Sequence, residues 1–124
     1  MNILLVFIGG GLGAVARYLL QGAVYRFTGA SFPYGTIVVN ILGCFTIGLL
    51  MSSMEERFMA APSLRIFLTI GILGGFTTFS SFAWETLGLL SVKDVLRAAL
   101  YVGGSIFLGL LGTLLGRSIG RLGA

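Results

Sequence analysis

The residues able to do chemistry in this chain are few, and they are stranded in apolar surroundings. From Ile66 to Trp84 no residue is charged, yet that run contains GGFTTFSSF, Gly74 to Phe82, in which glycine, threonine, serine and phenylalanine fill every position. A helix carrying Gly74-Gly75 and then Thr77-Thr78 is weak at that point, because glycine costs about 1 kcal/mol relative to alanine in a helix interior and threonine is also disfavoured. If the helix breaks there, carbonyls and amides are freed, and in a membrane each needs a partner. Broken membrane helices meet that need by binding ions: freed carbonyls coordinate a cation, and the N-terminus of the following half-helix attracts an anion. Beyond the break, Phe79 and Phe82 lie one turn apart on a single face. Their ring edges are electropositive and can be offered to an anion. A phenylalanine pair on a membrane helix is ordinarily just packing. The break, the hydroxyls and the pair together point instead to an ion site, with an anion favoured over a cation.

Other polar groups lie within apolar runs, where ionisable and amide groups are expensive and therefore functional suspects. Asn40 lies about one turn from Thr36 and from Gly43, so the three share a face. A lone asparagine can also serve simply by bonding a neighbouring helix. Arg17 is deeper than snorkelling easily explains, although interfacial anchoring is the competing use. Glu85 comes late in its run, and facing water is its plainer role. Tyr101 and Ser105, one turn apart, form either a polar stripe or routine interhelical bonds. Cys44, the single cysteine, reads as a small apolar filler, and there is no histidine. That removes the commonest proton relay and zinc ligand. With no nucleophile and base in proximity, the chain is expected not to be an enzyme.

The elements that must position these residues follow from composition. Of 124 residues, 56% are hydrophobic and 10% charged, and the mean hydropathy is +1.03; a soluble domain is about a quarter charged. A helix needs roughly 20 apolar residues to cross a bilayer. Four such runs are present, at about 3–25, 35–54, 66–90 and 98–115. They predict a single all-α membrane domain over 1–124, with four transmembrane helices and the third broken mid-membrane. The seams are TGASFP (Thr28 to Pro33), EERFMAAPS (Glu55 to Ser63) and SVKD (Ser91 to Asp94). Pro33 can open the second helix because the first turn needs no amide donor. Ala14-Val15-Ala16 has the form of a leader cleavage site, but no basic stretch precedes the apolar run, and cleavage is not expected.

With four spans, Arg57, Arg65, Arg117 and Arg121 fall on one side and Arg26, Lys93 and Arg97 on the other, four against three. Basic-residue bias normally fixes orientation. Its near-absence permits insertion either way up, and hence an antiparallel dimer. Glycines spaced four apart, Gly9 and Gly13, Gly71 and Gly75, and Gly112, Gly116 and Gly120, suit close helix contact. Four spans enclose little room for a pathway, which again suggests an oligomer.

Three stretches carry a family resemblance: GGGLGAVARY (Gly9 to Tyr18), FPYGTIVVNILGCFTIG (Phe32 to Gly48) and GGFTTFSSF. Together they make the chain resemble the CrcB/Fluc fluoride channels over essentially its whole length. The resemblance implies a fluoride-selective channel that exports the ion passively from the cytoplasm. It also implies a multi-pass protein of the bacterial inner membrane, working as a dual-topology antiparallel homodimer with two pores and a central structural sodium. By position, Phe79 and Phe82 resemble the pore-lining phenylalanines, Asn40 the pore asparagine, and Arg17 the arginine that attracts fluoride. Ser80, Ser81, Tyr101 and Ser105 fall on the family's polar track. Gly74 and Thr77 match the positions whose carbonyls hold the sodium, two from each subunit. This chain departs from the pattern at Ser81, where threonine is usual, and at Gly109, which offers no hydroxyl to extend the track. Two rival readings are a proton-coupled small multidrug transporter and a non-conducting assembly subunit. The former relies on a carboxylate in its first span, and here that span contains no Asp or Glu.

Overall fold

The computed structural model describes residues 1–57 and 61–122. Its elements are α1 (Asn2–Thr28), α2 (Tyr34–Arg57), α3 (Pro62–Arg65), a π-helical segment (Ile66–Leu73), α4 (Gly74–Phe76), α5 (Phe79–Ser91) and α6 (Val95–Leu122). The stretches Asn2–Thr28, Tyr34–Glu55, Pro62–Ser91 and Val95–Leu122 are each long and apolar enough to cross a bilayer. At about 1.5 Å per residue the shortest reaches about 33 Å, more than the hydrocarbon core requires. The helices extend a few residues beyond the apolar runs. Part of the second seam, residues 58–60, lies outside the described residues, as does the side chain of Arg57.

The turns are built by residues suited to them. Gly29 ends α1 at φ 74°, in the left-handed region, where glycine meets no steric penalty. Pro33 then opens α2, its carbonyl accepting the Ile37 amide at 3.3 Å. Pro62 occupies the first turn of α3, where a missing N–H is harmless. Asp94 caps α6, its Oδ1 accepting the Arg97 amide at 3.1 Å.

Two helix pairings organise the bundle: α2 against α6, and α1 against the π-helical segment with α4. Both are set by glycine. A Cβ at Gly13 would overlap the Ile72 carbonyl, and one at Gly75 the Gly10 carbonyl. On the other pairing, a Cβ at Gly116 would overlap the Phe45 carbonyl, and one at Gly48 that of Thr113. Backbone therefore lies directly on backbone, as small residues permit in membranes. Outside these seams the chain is apolar and uncovered. Phe7, Phe27, Trp84 and Leu110 are exposed, and the buried apolar side chains among the described residues are Val39, Leu73, Ala98 and Tyr101. That inverted distribution suits a solvent of lipid.

The path of the backbone from Pro62 to Ser91 positions the site. The π-helical segment ends at Leu73, and one α-helical turn follows. Then Thr77 (φ −85°, ψ 156°) and Thr78 (φ −148°, ψ 112°) are extended before α5 begins at Phe79. The apolar run predicts an ordinary transmembrane helix up to the glycines, whereas Ile66–Leu73 winds as a π-helix.

Candidate functional site

Two extended residues inside a long apolar stretch strip several backbone groups of their helical partners, and side chains take over. Asn40, on α2, accepts the Thr78 amide through Oδ1 at 2.8 Å and donates Nδ2–H to the Thr78 carbonyl at 3.0 Å. One side-chain amide thus pairs with both polar groups of one backbone residue, as a neighbouring β-strand would. The Thr78 hydroxyl accepts the Ser81 amide at 3.2 Å and caps α5. A cap of this kind contributes about 1 kcal/mol. Gly43, one turn below Asn40, leaves the space that the Thr77 methyl occupies.

The interruption leaves carbonyls over, those of Gly74 and Thr77 among them. In a continuous helix the Thr78 amide would bond the Gly74 carbonyl, and the Ser81 amide that of Thr77. Both amides are instead engaged by Asn40 and by the Thr78 hydroxyl. Gly74 is exposed and Thr77 half-buried. Hard oxygen donors are therefore available at the interruption, chemistry that suits an alkali cation. Among the described residues no cluster of His, Cys, Asp and Glu could hold a metal ion.

Asn40, Gly74, Thr77, Thr78, Phe79, Phe82 and Ser105 line one cavity of about 440 Å³, together with Cys44 and apolar neighbours. Only one of the two Asn40 N–H groups is bonded to Thr78, which leaves the second for a ligand. The Ser105 hydroxyl is buried without a partner. Phe79 and Phe82 meet at 5.6 Å between ring centroids, tilted by 46°. On its other side Phe82 rests on Tyr101 at 5.1 Å.

A second cavity of about 370 Å³ is lined by Gln21, Tyr25, Thr36, Ser80, Ser81, Trp84 and Glu85. Here the Thr36 hydroxyl donates to Glu85 Oε1 at 2.7 Å, the Tyr101 hydroxyl donates to the same oxygen at 3.2 Å, and Gln21 Nε2 donates to Thr36 at 3.3 Å. Tyr101 thus touches both regions: its ring supports Phe82 in the first and its hydroxyl holds Glu85 in the second.

The structure brings Asn40, Phe79, Phe82 and Ser105 to one cavity and Ser80 and Ser81 to the other, with buried Tyr101 between. Arg17 stands apart from both linings, half-buried, with its Nε unpartnered. Three features were not legible beforehand. Thr78 acts as a helix cap rather than merely a weak helix former, and Glu85 is tethered rather than left to water. Gln21 joins Thr36 across a turn. The signal available for Gln21 was its amide in an apolar run, and for Thr78 its place just before Phe79.

Four apolar spans with polar groups gathered around two clefts define a multi-pass helical membrane protein. Residues 4–117 match the family described as CrcB-like protein, Camphor Resistance (CrcB), and the chain belongs to that family. It is 46% identical over 121 residues to a fluoride-specific ion channel FluC of Nitratidesulfovibrio vulgaris, covering 98% of each chain. To the fluoride-specific ion channel FluC of Geobacter sulfurreducens it is 47% identical over 112 residues, 90% of each. To that of Solibacter usitatus it is 45% identical over 121 residues, 98% of this chain and 99% of the relative. These relatives are ion channels by name, not enzymes.

Proposed function

We propose that the chain is a fluoride-selective channel through which fluoride leaves the cytoplasm passively, lowering its toxicity. The observation that carries this reading is the cavity at the interruption, where the Asn40 clamp and the Phe79–Phe82 pair face one space. A small anion sheds water readily only where other groups replace it. The second Asn40 N–H, the Ser105 hydroxyl and the phenylalanine edges are neutral groups able to do so without trapping the ion. Ser80, Ser81 and Tyr101 continue the route on the far side of Phe82, and Arg17 draws fluoride toward it. The names of the relatives support the choice of ion.

The working unit is an antiparallel, dual-topology homodimer in the bacterial inner membrane, with the third span broken mid-membrane. Balanced basic residues support that arrangement. The Gly74 and Thr77 carbonyls of both copies hold a sodium ion at the centre, their lost helical donors being the feature that suits them to it. When bound, sodium supplies a positive charge in a low-dielectric setting that lowers the energy of a nearby anion.

The test is ion efflux from proteoliposomes, reading fluoride with an electrode and repeating with chloride, for wild type and Phe82→Ile. Fluoride efflux without chloride efflux, reduced at least tenfold in the variant, is the expected outcome. Efflux that survives the substitution would remove Phe82 from the path, and absence of fluoride efflux from folded wild type would sink the reading.

A further inference from the structure

The chain of bonds running from Gln21 through Thr36 to Glu85 contains a residue that the proposed path does not use. Helical threonines in this protein have a habit. Thr46, Thr69, Thr86 and Thr113 each donate their hydroxyl back to the carbonyl four residues earlier, at 2.7 to 3.0 Å. This is the default for threonine inside a helix. Thr36, in the first turn of α2, has no helical carbonyl four residues earlier, and its hydroxyl donates across the bundle to Glu85 Oε1 at 2.7 Å. A hydroxyl has one proton and two lone pairs. Gln21 Nε2–H donates to the Thr36 oxygen at 3.3 Å, which orients the proton toward the carboxylate. Thr36 is buried, and all three residues line the same cavity, so the arrangement borders open space rather than filling a core.

We propose that Gln21 is a positioning residue of the ion path: its amide turns the Thr36 hydroxyl toward Glu85 and so, beside the Tyr101 hydroxyl that donates to the same oxygen, helps keep the carboxylate tied to the cavity wall. The inference rests on the fluoride-channel reading. A carboxylate released into that cavity opposes the passage of an anion through like charge. Gln21 reaches Glu85 only through Thr36, so its effect depends on the Thr36 hydroxyl.

The experiment measures fluoride efflux from proteoliposomes for wild type, Gln21→Leu, Thr36→Val, the double variant, and Thr36→Ser with and without Gln21→Leu. Loss of the Gln21 donor is expected to slow efflux roughly three- to tenfold, the worth of one hydrogen bond. Thr36→Ser keeps the hydroxyl and should conduct like wild type while remaining sensitive to Gln21→Leu. In Thr36→Val, Gln21→Leu should cause no further loss. Each variant is first checked for wild-type migration on size-exclusion chromatography, and Gln21→Met carries the test if Gln21→Leu misassembles. Wild-type efflux from the Gln21 variants overturns the proposal, as does an equal loss in the Thr36→Val background. Absence of fluoride efflux from wild type is a separate failure, that of the channel reading itself.

Discussion

The two stretches on either side of Gly74 secure their backbone by opposite means. Before it, the π-helical segment satisfies its own amides and carbonyls and meets α1 through shape alone, glycine against glycine at Gly9 and Gly71. After it, the helical ladder stops at the Thr77 amide, and a side chain from another helix, Asn40, completes the backbone of Thr78, whose own hydroxyl caps α5. The first region asks only that nothing protrude. The second asks for particular donors and acceptors in particular places. A region of the second kind keeps spare polar capacity in an apolar setting, which is what an ion site needs.

Substitutions can break that contrast. The largest effect is expected from Gly13→Leu, whose side chain has no room beside the Ile72 carbonyl. Overpacking against rigid backbone should cost about 3 kcal/mol or more. It should be read as lost monodisperse protein on size-exclusion chromatography, whereas Gly11→Leu, at a position with open space around it, should behave as wild type. Equal tolerance at both positions would refute the shape argument.

Next comes Asn40→Ala, which strands the Thr78 amide and carbonyl together. Each unpartnered buried group costs about 1–3 kcal/mol, and fluoride efflux should fall at least tenfold. Asn40→Asp sharpens the point, since a carboxylate still accepts the Thr78 amide but, when ionised, has nothing to donate to the carbonyl. If Asp restored efflux fully, the donated bond would be irrelevant.

The smallest effect is at Thr78. Thr78→Val removes the cap of α5 and should cost about 1 kcal/mol, read as a lowered thermal midpoint in detergent. Thr78→Ser keeps the oxygen and should recover most of it. A Val variant as stable as wild type would mean that the Ser81 amide finds another acceptor.

Much of this molecule was legible because its signals are local. Four apolar runs announce four spans, since bilayer thickness sets how many consecutive apolar residues a helix needs. Gly74-Gly75 and Thr77-Thr78 mark a weak point, because intrinsic helix preference depends on each residue's own backbone and side chain. Phe79 and Phe82 share a face through helical geometry alone. The glycine spacings foretold close contact, and Gly9, Gly13, Gly71 and Gly75 all make it. Gly103 and Gly104, with nothing nearby, show that glycine content by itself does not.

The rest depended on groups distant in sequence meeting in space. The amide that completes Thr78 comes from 38 residues away, and the hydroxyl that ties Glu85 from 49. No spacing encodes such pairs. Composition and short-range pattern therefore determined the spans, their solvent and the place where the third is weak. Tertiary structure alone decided which side chain repairs the weak point and which carbonyls are left free, because hydrogen bonds are directional and form only where packing brings donor to acceptor.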